Sequence, residues 1–189
     1  MPSYAEIRRS IEAAWLLARG DQRGMALFDL SVDGFWRSFA AAALVAPAYA
    51  LVVVDQYAHL GWPESKLWTV LAETISYVVG WLAFPIAAIF LTRLLGLASR
   101  YVPLIIANNW SAVVQMGIYT VVVVVGTLLP PETRALALLL TTLTVLAYQW
   151  FVIRTALGTG SGTALGLVVI DVLLSMAVSR GLDAVLQPG

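Results

Sequence analysis

Five long runs of apolar residues dominate the chain, each bounded by polar or charged positions. They cover Ser38–Val54, Leu67–Leu91, Ser111–Leu129, Ala135–Ile153 and Thr163–Ser179. A hydrocarbon core of about 30 Å is crossed by roughly 17–25 helical residues, so every run is long enough to span it. Inside lipid the backbone must satisfy its own hydrogen bonds, which makes each run a helix. The five consecutive valines at 121–125 would favour a strand in water, but they sit inside an unbroken apolar run and read as helix. The pattern therefore predicts an all-α integral membrane protein, with five transmembrane helices in a domain over 36–189 and a separate N-terminal region over 1–35. The second run exceeds the hydrocarbon thickness and carries Pro85, so tilt or a bend is expected there.

Ahead of the spans the apolar positions recur at helical spacing. Tyr4, Ile7, Ile11, Ala14, Trp15 and Ala18 form one stripe, with Arg8, Arg9, Glu12 and Arg19 mainly off it. Ser3-Tyr4-Ala5-Glu6 fits a capping box, in which Ser3 closes the open amides and Glu6 reaches back. These residues predict an amphipathic helix over 3–19 that lies on the membrane surface or on the protein's own membrane domain. Arg8, Arg9 and Trp15 are then its membrane-surface residues. A solvated helix packed on a partner or on this bundle fits the same pattern. Residues 20–36 mix charged and apolar positions and read as an interfacial connector with room for a second short helix. Pro130–Arg134 is tight enough to make spans 3 and 4 an antiparallel hairpin. Thr92–Trp110 reads either as a short interfacial helix or as an extension of span 3.

Composition narrows the function classes. The chain is 60% hydrophobic and 12% charged, against roughly 45–50% and about 25% in soluble domains. Eleven basic residues balance eleven acidic ones, so the basic excess of most nucleic-acid binders is missing. The absence of cysteine excludes disulfides, thiolate metal sites and a cysteine nucleophile, and a single histidine cannot build a multi-histidine metal site. No cofactor is implied. The expected partners are the lipid bilayer and other membrane-protein subunits or a second copy of the chain, with no nucleic acid. With the N-terminus inside, eight basic residues fall on the inner side and three (Lys66, Arg134 and Arg180) on the outer. That asymmetry predicts a cytoplasmic N-terminus and a C-terminus on the opposite side of the membrane. Tryptophans agree, since only Trp81 falls well inside a span.

The polar residues inside the spans carry the candidate chemistry. Glu73 and Asp171 are the two intramembrane carboxylates, and an Asp at a helix centre costs about 2.5–3.5 kcal/mol on insertion scales. Thr69, Glu73, Ser76 and Gly80 share one face of span 2, while Ala164, Asp171, Ser175 and Ser179 share one face of span 5, so both carboxylates are expected to point into the bundle. Two readings follow: a proton relay through a buried carboxyl, or a carboxyl hydrogen-bonded to Ser, Thr or Tyr to fix helix register. Gln115, Tyr119 and Gly126 on span 3, with Thr141, Thr144, Tyr148 and Gln149 on span 4, are expected as interhelical glue. Gly162 and Gly166 fit a GxxxG packing motif. The nearby Gly160-Ser161-Gly162 lacks the preceding strand that a nucleotide loop requires. His59 is expected in an outer loop beside Asp55; with Glu64 these make only a loose set of metal donors, and no metal site is assigned. No nucleophile with a positioned base is visible, so no catalytic residue is named and a non-enzyme is expected.

The segment Tyr148-Gln149-Trp150 through Arg154-Thr155-Ala156-Leu157-Gly158 and on to Ala164 resembles the Yip-type (Ypt-interacting) family of five-span membrane proteins, including its bacterial members. The resemblance covers roughly residues 36–186 and implies a cytoplasmic N-terminal region, five spans and an external C-terminus. It implies no enzymatic residues. The leading functional expectation is a structural or accessory subunit that packs against other membrane proteins. The alternatives are a small transporter or proton-coupled carrier using Glu73 and Asp171, and a membrane-shaping or lipid-organising protein.

Overall fold

The computed structural model describes residues 1–186; the last three residues of the expected membrane domain lie outside them. Seven α-helices follow one another: α1 (Tyr4–Ala18), α2 (Val32–Ser38), α3 (Ala40–Leu60), α4 (Lys66–Leu94), α5 (Tyr101–Gly126), α6 (Pro131–Leu157) and α7 (Ser161–Leu186). Short 3-10 turns lie at Gln22–Leu27 and Ala98–Arg100, and no strand occurs among the described residues. Five segments are long and apolar enough to cross a membrane: Val32–Leu60, Lys66–Leu94, Ala98–Gly126, Pro131–Leu157 and Ser161–Gly181.

Several boundaries differ from the sequence expectation for physical reasons. The first span does not stop at Asp55; α3 continues to Leu60, so His59 sits in a last helical turn rather than a loop. Asp55 can stay in the helix because Arg134 on α6 donates to its Oδ2 at 2.5 Å. The same guanidinium faces His59 Nε2, while His59 Nδ1 faces the Asp55 carbonyl at 2.8 Å, so the tautomer with its proton on Nδ1 satisfies both contacts. Asp55 and His59 are thus committed to a cation from another helix. The stretch ahead of span 3 is an extension of that span. Pro103 falls in the first turn of α5, where its missing N–H would have had no helical partner anyway. At 29 residues, α4 runs unbroken through Pro85, and at 1.5 Å per residue it is longer than a ~30 Å hydrocarbon core.

Packing is uneven along the bundle. The N-terminal half of α5 is the hub, with Leu104, Ile105, Ile106, Ala107 and Trp110 almost wholly buried. Around it lie α1, α2, the C-terminal half of α6 and the N-terminal half of α7. Asn109 is buried there and donates to Ser38 Oγ at 2.9 Å, which joins α5 to the end of α2. α6 ends at Gly158 in the left-handed conformation, φ 62°, that a glycine adopts without strain. At the opposite end of the bundle, α3 and α4 barely meet backbone to backbone, and α4 rests mainly on α7.

The face that α1 buries is rotated from the predicted stripe. Ser10, Ala13, Ala14 and Leu17 are buried against α5 and α6, whereas Tyr4 and Trp15 are exposed. Tyr148 on α6 fixes this docking by donating to the Ala14 carbonyl at 2.6 Å. Ser3 caps the helix as expected, accepting from the Glu6 amide at 3.2 Å. The Glu6 carboxylate does not reach back: it takes a 2.8 Å hydrogen bond from Arg37, a charge-assisted contact that a solvent-exposed cap cannot match. Arg37 also binds Asp29 at 2.5 Å, so one guanidinium ties α1, the connector and α2 together. Gly34 permits this, because a Cβ there would lie 2.0 Å from the Asp29 carbonyl oxygen.

Ser31, hydrogen-bonded to Asp29, holds the Asp29 carboxyl below the usual carboxylate range, with smaller help from Arg37 and Arg9. A depressed carboxylate pKa stabilises the fold above its unfolded value of about 3.9, and that contribution disappears as pH falls through the folded value. Hydrogen-exchange protection over residues 4–18 is therefore expected to fall below pH ~4, and Asp29→Asn to remove much of that dependence. Protection that is flat from pH 6 to 3 in the parent protein would contradict the docking role given to Asp29.

Candidate functional site

Away from the packed hub, α3, α4, α5 and α7 enclose a cavity of about 580 Å³. Helical spacing aims the groups that line it. On α3, Tyr49, Val53, Gln56 and Tyr57 recur at intervals of four, three and one, which is one face of a helix. On α4, Glu73, Ser76, Tyr77 and Gly80 do the same at three, one and three. Gln115 and Tyr119 come from α5, and Ser175 and Ser179 from α7.

Glu73 is the centre of this arrangement. Its side chain is buried, with the residue 9% exposed, and both carboxylate oxygens accept from tyrosines. Tyr49 donates to Oε2 at 2.7 Å and Tyr57 to Oε1 at 2.8 Å. Two turns of α3 separate these tyrosines, so they grip the carboxylate from either side. Tyr77, one turn on from Glu73, donates to the Ala42 carbonyl at 2.6 Å and packs its ring 4.7 Å from that of Tyr49. Trp81 follows edge-on at 6.2 Å from Tyr77. These rings fill the gap between α3 and α4 and explain why the two backbones stay apart.

Among the described residues, no lysine or arginine lines the cavity. An ionised Glu73 would thus be compensated only by neutral hydroxyl donors, in a setting where an unpaired charge is costly. What the geometry can do chemically is accept a proton or a cation at the carboxylate.

Several candidates from the sequence lie elsewhere. Asp171 does not line the cavity; it is half-buried between α6 and α7, where the Gln149 side-chain amide donates to its Oδ2. The two carboxylates therefore occupy different settings, and of the two glutamines expected from the sequence Gln115 joins Glu73 while Gln149 joins Asp171. Thr141 and Thr144 return their hydroxyl protons to the carbonyls of Ala137 and Leu140 on their own helix, each at 2.8 Å, and do not bridge helices. Gly126 lies against the Arg134 stem. A Cβ built at Gly162 or Gly166 would meet nothing within 4 Å, so neither glycine brings two helices of this chain together. Arg8 and Arg9 are exposed on α1. Among the described residues, no group of three or more His, Asp and Glu side chains is arranged to hold a metal ion.

The residues missed by sequence reasoning are Tyr49, Gln56, Tyr57 and Tyr77. The α3 group forms a polar stripe at helical spacing, but it runs past Asp55, where the apolar run ends.

No protein-family model, curated protein or solved structure matches the chain.

If the tyrosines act through the carboxylate, their loss must couple to it. Tyr57→Phe is expected to lower stability in detergent by about 0.5–2 kcal/mol, the range of interhelical hydrogen bonds in membranes. In a Glu73→Leu background the same change should cost much less. Equal costs in both backgrounds, measured by thermal unfolding as a double-mutant cycle, would contradict the arrangement.

Proposed function

We propose that this chain is a non-catalytic bacterial inner-membrane protein that works as a small proton-coupled carrier, with Glu73 as the group that takes up and releases the proton. The observation that carries this reading is a buried carboxylate on the wall of an open cavity, held by two tyrosine hydroxyls and faced by no lysine or arginine among the described residues. A carboxylate kept only to fix helix register needs no cavity of about 580 Å³ beside it. That difference favours the carrier over a purely structural or accessory subunit. Gln115, Ser175 and Ser179 supply further hydrogen-bonding groups for a solute. Asp171 has a structural part in this reading, as the partner of Gln149 between α6 and α7.

The basic residues support a cytoplasmic N-terminus and a periplasmic C-terminus. In that orientation α1 lies at the cytoplasmic interface, with Arg8 and Arg9 available to anionic headgroups and Trp15 at the lipid boundary. The cavity then belongs to the periplasmic half of the bundle, and the packed hub closes the cytoplasmic half. Alternating access would require the hub to loosen, or two copies to cooperate.

Proteoliposomes carrying an imposed pH gradient test the assignment. Glu73→Gln is expected to abolish protein-dependent proton movement, while Asp171→Asn keeps most of it provided the protein remains folded. Proton movement unchanged by Glu73→Gln in folded protein would overturn the reading.

A further inference from the structure

The surroundings of Glu73 specify what accompanies or replaces the proton. Resting on the reading of Glu73 as an exchanging carboxylate, we propose that the cavity binds a lipophilic monocation, an organic ammonium or phosphonium, that reaches it from the lipid between α3 and α4. Three observations converge. The first is charge: among the described residues the cavity is lined by one carboxylate and by no lysine or arginine, so a monocation leaves that lining neutral and an anion does not. The second is the wall. Tyr49, Tyr77 and Trp81 line the same cavity as the carboxylate, and aromatic faces attract a weakly hydrated cation while accommodating its apolar substituents. A small hydrated metal ion would instead call for a cage of several oxygen ligands.

The third observation is access. A second, almost wholly apolar cleft of about 260 Å³ lies between α3 and α4 and is lined by Ala50, Val54 and Val70. Tyr49, Val53, Glu73 and Tyr77 line both spaces, so these four side chains form the partition between the cleft and the cavity. The two helices are joined across this gap by side chains rather than by close backbone packing, so rearrangement of these side chains is what would connect the cleft to the cavity. A cation with apolar arms partitions into lipid, passes the cleft and meets the carboxylate. A fully hydrated solute finds little polar lining on that route.

The exchange balances in charge. A protonated Glu73 gives up its proton as the monocation arrives, leaving a carboxylate paired with the bound cation. Protonation reverses the step and expels the ligand.

The test uses purified full-length protein in detergent, with tetraphenylphosphonium as probe and tetraphenylborate as its near-isosteric anion. Saturable binding of the phosphonium, weakened as pH falls, with no saturable binding of the borate, is expected. Glu73→Gln should weaken phosphonium binding at least about tenfold, and binding to the parent protein should release protons into a weakly buffered solution. Equal saturable binding of both ions overturns the proposal, and this comparison needs only the parent protein. Phosphonium binding unchanged by Glu73→Gln in folded protein overturns it too. Glu73-dependent proton movement in liposomes without saturable phosphonium binding overturns the ligand class while leaving the carboxylate assignment standing. Failure of both measurements removes both.

Discussion

A carboxylate inside an apolar bundle has to be compensated, and here Glu73 is compensated by two phenols. Much of the surrounding architecture follows from that requirement. The donors come from two turns of a single helix, so α3 must remain helical past the point where its hydrophobicity falls away. That continuation carries Asp55 into the helix, and Asp55 in turn needs Arg134 from α6. The tyrosine rings also set the distance between α3 and α4. A compact hydrophobic contact between those helices would leave no room for Tyr49 and Tyr77, so the spacing of α3 and α4 follows from seating the carboxylate.

The two halves of the molecule divide the physical tasks. The hub around Trp110 and the first turns of α5 is densely packed and is completed by α1, whose short polar and small apolar face leaves room for a close approach to α5 and α6. The far half is loose and polar. A packed base beneath an open end separates local stability from local openness, which are hard to combine in one place.

Much of the fold was legible in the sequence because the lipid requirement is severe. An apolar run of sufficient length has one allowed backbone form, and even the valines at 121–125 become helix. Glu73 and its small-polar stripe were legible for the same reason, as departures from an otherwise apolar face. Three features were not. The end of α3 depended on Arg134, a residue 79 positions from Asp55, and no local pattern reports that pairing. The buried face of α1 was rotated from the apolar stripe because tight docking selects small residues, Ser10 and Ala13 among them, over the bulk of Tyr4 and Trp15. The separation of Asp171 from Glu73 follows from the hairpin formed by α6 and α7. Gln149 and Asp171 lie equally far on either side of Gly160, so a tight antiparallel hairpin brings them level. That arithmetic was available, but it requires the turn position to be known first.

On the proposed function, the Glu73 carboxyl changes its protonation state within the membrane domain. Infrared difference spectroscopy of the reconstituted protein across a pH step observes this directly, through the carbonyl stretch of a protonated carboxyl. The account predicts a titrating band that is present in the parent protein, absent in Glu73→Gln and shifted in Tyr57→Phe. Identical difference spectra for the parent and a folded Glu73→Gln protein would contradict it.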